Sequence, residues 1–160
     1  LAQEVPGSFE DLLDPTRALA FEENQRLHHG ACFFKEQNLV DDLAFHFLAD
    51  GRHLGRCHFQ ERHQSYEGIA HGGLIAAIVD AAMTQCLFGH GVVAYTVDLS
   101  LRYRKPVPIG PEVTFETRIL ESVMGKVWKM ECRVLQGEHL HVEATAKFFI
   151  PLKSILPSIS

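Results

Sequence analysis

The residues best suited to chemistry fall in one stretch: His71-Gly72-Gly73, followed by Asp80 nine positions after the histidine. The rest of the stretch is apolar, Leu74 to Val79 and Ala81 to Met83, and runs to about Phe88. A helix built from it is expected to be buried nearly all round. A carboxylate inside such a helix is costly unless a partner or a reaction uses it. At the head of the helix, Gly72 and Gly73 leave backbone N–H groups open to close approach by a ligand. Those groups, with the helix dipole, favour negative charge. The stretch therefore offers an oxyanion-stabilising end and an isolated acid.

Helix geometry keeps the two apart. Asp80 lies eight residues beyond Gly72, about 12 Å along a helix axis. An acid and an oxyanion donor must each come within about 3 Å of one reacting group. Two antiparallel copies of the helix across a two-fold axis would set Asp80 of one chain near the Gly72 N–H of the other. The expectation is a dimer with two equivalent sites, and a tetramer built from such dimers is compatible with it.

The elements that must position this helix can be read on either side of it. Residues 1–40 form an N-terminal helical or irregular segment: a short helix from Ser8 through Leu13, stopped by Pro15, then a helix from Asp14 or Pro15 to about Leu27. Leu19, Ala20 and Leu27 fall on one side of that second helix, Gly30 ends it, and Cys32-Phe33-Phe34 reads as a short buried segment. From Asp42 the period changes to two: Leu43, Phe45 and Phe47 alternate, Asp50-Gly51 turns the chain, and Leu54–Glu61 returns as a second strand. After Gly89-His90-Gly91 stops the central helix, four strands follow. In the first, Tyr95, Val97, Leu99, Leu101 and Tyr103 oppose Thr96, Asp98, Ser100 and Arg102. The others run over Val113–Ile119, Trp128–Val134 and Leu140–Ile150, with turns at Met124-Gly125 and Gln136-Gly137. The fold class is α+β: an antiparallel sheet, read as a hairpin and a four-stranded meander, wrapped around a long central apolar helix. A second sheet or a partner's helix is expected to cover the helix's other side. Residues 41–151 make this domain, and 152–160 a frayed tail.

Composition narrows the function classes. At 160 residues and 46% hydrophobic, the chain suits one globular core. A net charge of −5 without a basic run argues against a nucleic-acid surface. Cys32, Cys57, Cys86 and Cys132 are scattered, without a C-x-x-C pair, which fits reduced thiols and a cytoplasmic location. The apolar run is broken by Asp80 and reads as too short for a membrane span, and no signal peptide is read. His139 and His141 share a strand face with His58, His63 or Cys57 within imaginable reach, but no metal-ligand spacing appears. They read as exposed histidines, with no metal.

With its H-G-G and spaced acid, Thr96-Val-Asp98-Leu-Ser-Leu-Arg-Tyr103 and Pro106-Val-Pro-Ile-Gly110, the chain resembles the hotdog-fold acyl-CoA thioesterases of the phenylacetyl-CoA thioesterase type over about residues 42–150. The resemblance implies a hotdog fold and hydrolysis of an acyl-CoA thioester. It implies that the Gly72 N–H polarises the thioester carbonyl and that Asp80 acts as nucleophile or as general base toward water. Thr96 would help to place the water or the acid, or would serve β-propensity alone. Ser65, or its neighbour Gln64, would contact the carbonyl, and His71 with Gly73 would fix the loop. Arg104 and Lys105, with Arg102, are either holders of coenzyme A phosphates or a solvated strand end. Coenzyme A enters as part of the substrate and no separate cofactor is implied. Two rival classes remain: a hotdog hydratase or dehydratase, and a non-catalytic acyl-CoA-binding dimer.

Overall fold

The computed structural model describes residues 9–151; Ser8 and the tail 152–160 lie outside the described residues. Its centre is helix α3, Gly72–Gly89. His71 caps it: its ring Nδ1 accepts the Gly73 N–H at 2.9 Å and its carbonyl accepts the Ile75 N–H at 3.1 Å. The helix ends where the sequence placed the stop. The His90 and Gly91 amides return to the carbonyls of the last turn, and Gly91 takes φ +74°. Gly89 is required for a different reason: any Cβ there would run into the Phe47 ring.

Six strands form one antiparallel sheet in the order β1-β2-β4-β5-β6-β3. They are β1 Ala44–Phe47, β2 His53–His58, β3 Tyr95–Tyr103, β4 Glu112–Val123, β5 Val127–Gln136 and β6 His139–Phe149. The expected four-stranded meander is therefore corrected. β4, β5 and β6 follow one another, but β3 crosses to the far edge and pairs with β6. The β1–β2 hairpin joins the same sheet through β2 and β4. β2 ends at His58, short of the expected Glu61, and Glu61–His63 forms a 3-10 turn. In that turn the buried His63 accepts the Gln60 N–H at Nδ1, so its Nε2–H donates to the Leu39 carbonyl at 3.1 Å.

The apolar side of α3 (Ile75, Ile78, Val79, Ala82, Met83, Cys86 and Leu87) is fully enclosed. It packs in one core with Phe115, Met130, Val134 and Phe148 from the sheet. By length and composition α3 would suit a membrane span, contrary to the reading of a run too short for one; half of it is buried inside the fold. It is not buried all round, however. Ala77, Asp80, Ala81, Thr84 and Gln85 are only partly covered, because they recur at i, i+3, i+4, i+7 and i+8 and so share one stripe.

The cover on that side comes from the same chain. Helix α1, Pro15–His28, is capped by Asp14, which accepts the Arg17 N–H, and packs on α3. Asn24 Nδ2 donates to the Phe88 carbonyl at 3.0 Å. The side of α1 read as apolar faces outward instead, with Leu19 67% and Leu27 56% exposed. Before α1 a 3-10 turn covers Phe9–Leu12, and after it a short helix α2 covers Phe33–Glu36. Phe33, read as buried, is 68% exposed. His141, read as exposed, is buried against Val107's loop, its Nδ1 paired with the Pro106 carbonyl at 2.7 Å.

His53, the partner of Phe47 in the β1–β2 ladder, is completely buried. Its ring stacks on Phe45 and tilts against Phe47, both at 4.8 Å between centroids. Burial drives its pKa from 6.5 to about 3, with the nearby Gln85 side chain acting weakly in the other direction. The unfolded chain takes up this proton below about 6.5 while the folded chain refuses it. Stability linked to His53 is therefore fully present above 6.5 and drains away as pH falls toward 3, with a limiting slope of about 1.4 kcal/mol per pH unit. Urea unfolding of wild type between pH 6.5 and 4 should show this loss, and His53→Phe should flatten it. An equal decline in both proteins would remove His53 as the cause.

Candidate active site

The structure brings Asp80 and Thr96 together: the Thr96 hydroxyl donates to Asp80 Oδ1 at 2.7 Å. Strict alternation along β3 pointed Thr96 away from Leu99 and Leu101. A β-bulge between Thr96 and Asp98 reverses that. Thr96 pairs with Phe148, as Leu99 does with Ala146 and Leu101 with Ala144, and these β6 partners are all buried residues. Cross-strand partners share a face, so the extra residue at Val97 turns Thr96 toward the helix.

Seven residues further along β3, the Tyr103 hydroxyl donates to the Gly72 carbonyl at 2.6 Å. Its own pKa is raised by burial, so it remains a donor at neutral pH. β3 thus runs antiparallel to α3, touching Asp80 near one end and Gly72 at the other. A Cβ on Gly72 would sit 3.4 Å from the Tyr103 ring, and one on Gly73 3.0 Å from the His71 ring. Gly73 answers to close packing. No left-handed backbone is recorded at either glycine. Among the described residues, the Gly73 N–H is taken by His71, while no hydrogen bond reaches the Gly72 or Leu74 N–H. Those two amides are the open donors at the helix head.

The loops around the head are tied to one another. The Ala70 N–H donates to Val107, Ile109 to Gly68 and Gly110 to Phe59, so the segment after β3 folds back over the loop before α3. Gln64 is committed to this closure, its Oε1 accepting the Gly68 N–H at 3.0 Å. Ser65 is exposed beside it. Arg104 pairs with Glu143 at 2.5 Å, while Arg102 and Lys105 are exposed without an ion pair among the described residues. All three basic residues flank Tyr103, at the Gly72 end of the helix.

Asp80 opens onto a cavity of about 440 Å³. Its floor is the α3 stripe from Ala77 to Phe88; its roof comes from α1, α2 and the chain up to β1, including His29, Phe33, Phe34, Leu39 and Phe45. His29 feels Asp80 directly: burial and His28 hold its pKa below the ordinary value, and the Asp80 carboxylate pulls it upward. Its ring meets Phe88 edge-on at 5.0 Å. Sequence reading assigned nothing to His28-His29, Tyr103 or Gln85. His29 carries no spacing relation to Asp80, and Tyr103 looks like any strand aromatic.

A single antiparallel sheet around one long helix defines the hotdog arrangement, here with an acid on the helix's open stripe and free amides at its head. The sequence profile of the Thioesterase superfamily matches residues 67–143, and over that stretch the chain is similar to the superfamily's members. It is 33% identical over 113 residues to acyl-coenzyme A thioesterase THEM4 of Mus musculus, covering 69% of this chain and 44% of that one. The chain spans less than half the length of that relative and of its Rattus norvegicus counterpart. Among solved structures it is similar to thioesterase superfamily member 2 from Mus musculus, with TM-score 0.70 and 18% identity over 87% of this chain and 100% of that one. It is also similar to a Streptococcus mutans protein solved bound to acetyl CoA, with TM-score 0.63 and 19% identity over 69% and 89%.

Tyr103→Phe removes the hydroxyl that holds the helix head and should lower the unfolding free energy by about 1 kcal/mol. Urea titration checks this, and an unchanged midpoint would mean the contact contributes nothing in solution.

Proposed function

We propose that the protein is an acyl-CoA thioesterase working as a dimer, with Asp80 of one protomer and the Gly72 N–H of the other at each site. The single observation that carries this reading is the Asp80 carboxylate, fixed by Thr96 at 2.7 Å on the wall of a ligand-sized cavity. The thioester carbonyl would receive the Gly72 N–H, and Asp80 would activate water or attack directly. The tetrahedral oxyanion then collapses with departure of the coenzyme A thiolate. Coenzyme A comes as part of the substrate, and the reading needs no other cofactor. Arg102, Arg104 and Lys105 at the Gly72 end would meet its phosphates. The four free thiols suit a reducing compartment such as the cytoplasm.

The dimer follows from the direction of β3. That strand is one of the two edges of the sheet, with Tyr95, Val97 and Tyr103 about half exposed or more, and such an edge is a template for pairing. Since Thr96 lies over Asp80 and Tyr103 over Gly72, antiparallel pairing of two β3 edges would bring the Asp80 end of one protomer to the Gly72 end of the other. A tetramer would add a further contact between such dimers.

An acyl-CoA panel with thiol detection tests the chemistry. Wild type should release thiol, and Asp80→Asn should lower kcat by about a hundredfold or more. Wild-type-like turnover in a folded Asp80→Asn protein would exclude the assigned role. A hydratase, for which His29 beside Asp80 would serve, releases no thiol but adds water to an enoyl-CoA; a binding module forms neither product.

Mixing tests the shared site. Gly72→Pro removes the N–H at a helix position where proline is tolerated, with Gly72→Ala as the control that adds a Cβ but keeps the donor. Refolding Asp80→Asn together with Gly72→Pro should restore roughly a quarter of wild-type activity, because half the sites of each mixed dimer are intact. No restoration would place both groups in one chain.

A further inference from the structure

The least explained feature of the interior is a pair of side chains with buried, unpaired polar atoms, one of which lines the cavity. Both ring nitrogens of His53 and the Oε1 of Gln85 are buried without a partner at bonding distance. Buried polar atoms of this kind are rare and call for a specific use. His53 is enclosed by Phe45 and Phe47, so it cannot turn to water. Neutral imidazole offers one donor and one acceptor, and the neighbouring Gln85 carboxamide is the group able to receive that donor. With Oε1 turned inward, the amide N–H₂ of Gln85 is the end presented to the cavity it lines.

We propose that this cavity seats the acyl group and that Gln85, aligned by the buried His53, donates a hydrogen bond to an acceptor oxygen carried on that group away from the thioester. The inference rests on the thioesterase reading and deepens it. Gln85 lies five residues beyond Asp80, about 7.5 Å further along the helix axis. The oxygen it meets therefore belongs several bonds from the carbonyl that Asp80 serves. Around it, Lys35 offers donors alone, while Gln25, His29, Asn38, Thr84 and Gln85 each carry a donor beside an acceptor, and Asp80 is the one acid among the lining residues. A plain alkyl chain would strip water from these donors and return nothing, at a cost of about 1–3 kcal/mol for each one left unpaired. A site built around a hydrogen bond discriminates strongly against the analogue lacking it. His53 acts here as a positioning residue, since it is not among the residues that line the cavity.

Matched substrate pairs decide it: hexanoyl-CoA against ω-hydroxyhexanoyl-CoA, and octanoyl-CoA against its ω-hydroxy form. Wild type should favour the oxygenated member by about tenfold or more in kcat/KM, mostly through KM. Gln85→Leu, and Gln85→Met should leucine crowd the stripe, should bring the ratio to about one by raising KM for the oxygenated member. His53→Phe should move the ratio the same way by a smaller amount, leaving kcat on the oxygenated substrate within about twofold. Equal hydrolysis of both members by wild type, or a preference that survives loss of the Gln85 amide, overturns the inference and leaves the thioesterase reading standing. Absence of thiol release from every acyl-CoA overturns both.

Discussion

The central helix has its back enclosed by a sheet and its front left partly open, and it is held on that front by two side-chain contacts from β3. Thr96 reaches Asp80 and Tyr103 reaches Gly72. Everything proposed for the site depends on the first of these. A threonine on a regular strand at this position would face solvent, and the Asp80 side chain would have no fixed orientation. The single inserted residue at Val97 turns the hydroxyl inward. Because a bulge flips every side chain on one side of it relative to the other, the remainder of β3 can still present Leu99 and Leu101 to the core. One irregularity thus satisfies the packing of the strand and the geometry of the acid together.

The second contact explains why the helix head stays usable. An amide at a helix N-terminus is open to a ligand only if its neighbours have not already taken it. His71 takes the Gly73 N–H, and Tyr103 binds the Gly72 carbonyl on the far side of the same residue. Both hold the backbone without occupying the Gly72 N–H. Glycine at 73 answers to packing, since a Cβ would crowd the His71 ring at 3.0 Å, while a Cβ at 72 would meet the Tyr103 ring at a near-ordinary 3.4 Å. The same rigidity fixes the roughly 12 Å between head and acid. No rotamer closes such a gap, which is why a second protomer enters the argument at all.

The helix, its stops, the β1–β2 hairpin and the later strands were legible because each follows from local periodicity or from turn residues. The HGG head and Asp80 were legible for a related reason: a lone charge in an apolar run stands out. What could not be read was set by tertiary contacts. The crossing of β3 to the edge beside β6 depends on which strands find one another, and the Thr96 bulge leaves no mark in an alternating pattern. Leu19 and Leu27 fall on an apolar stripe of α1 yet face outward, because the partly covered side of α1 is Ala18, Phe21, Asn24 and Gln25, with Asn24 bonded to Phe88 of α3 and Phe21 against Phe47. His29 and Gln85 entered the site only once the chain had folded the N-terminal segment over α3.

That last point divides the protein along its sequence. The part matching the superfamily profile, residues 67–143, carries α3, the bulge in β3 and the helix head, which are the groups proposed for the reaction. The roof of the cavity, from Gln25 to Phe45, lies entirely outside that match. A catalytic geometry held by a helix inside a sheet tolerates little change, since sub-ångström shifts of an acid or an amide are costly. A roof of short helix and loop, with Phe33 open to solvent, can change its side chains without disturbing that geometry. The proposed chemistry is therefore tied to the enclosed core, while the proposed choice of acyl group would be shared between Gln85 on the helix and a segment freer to vary.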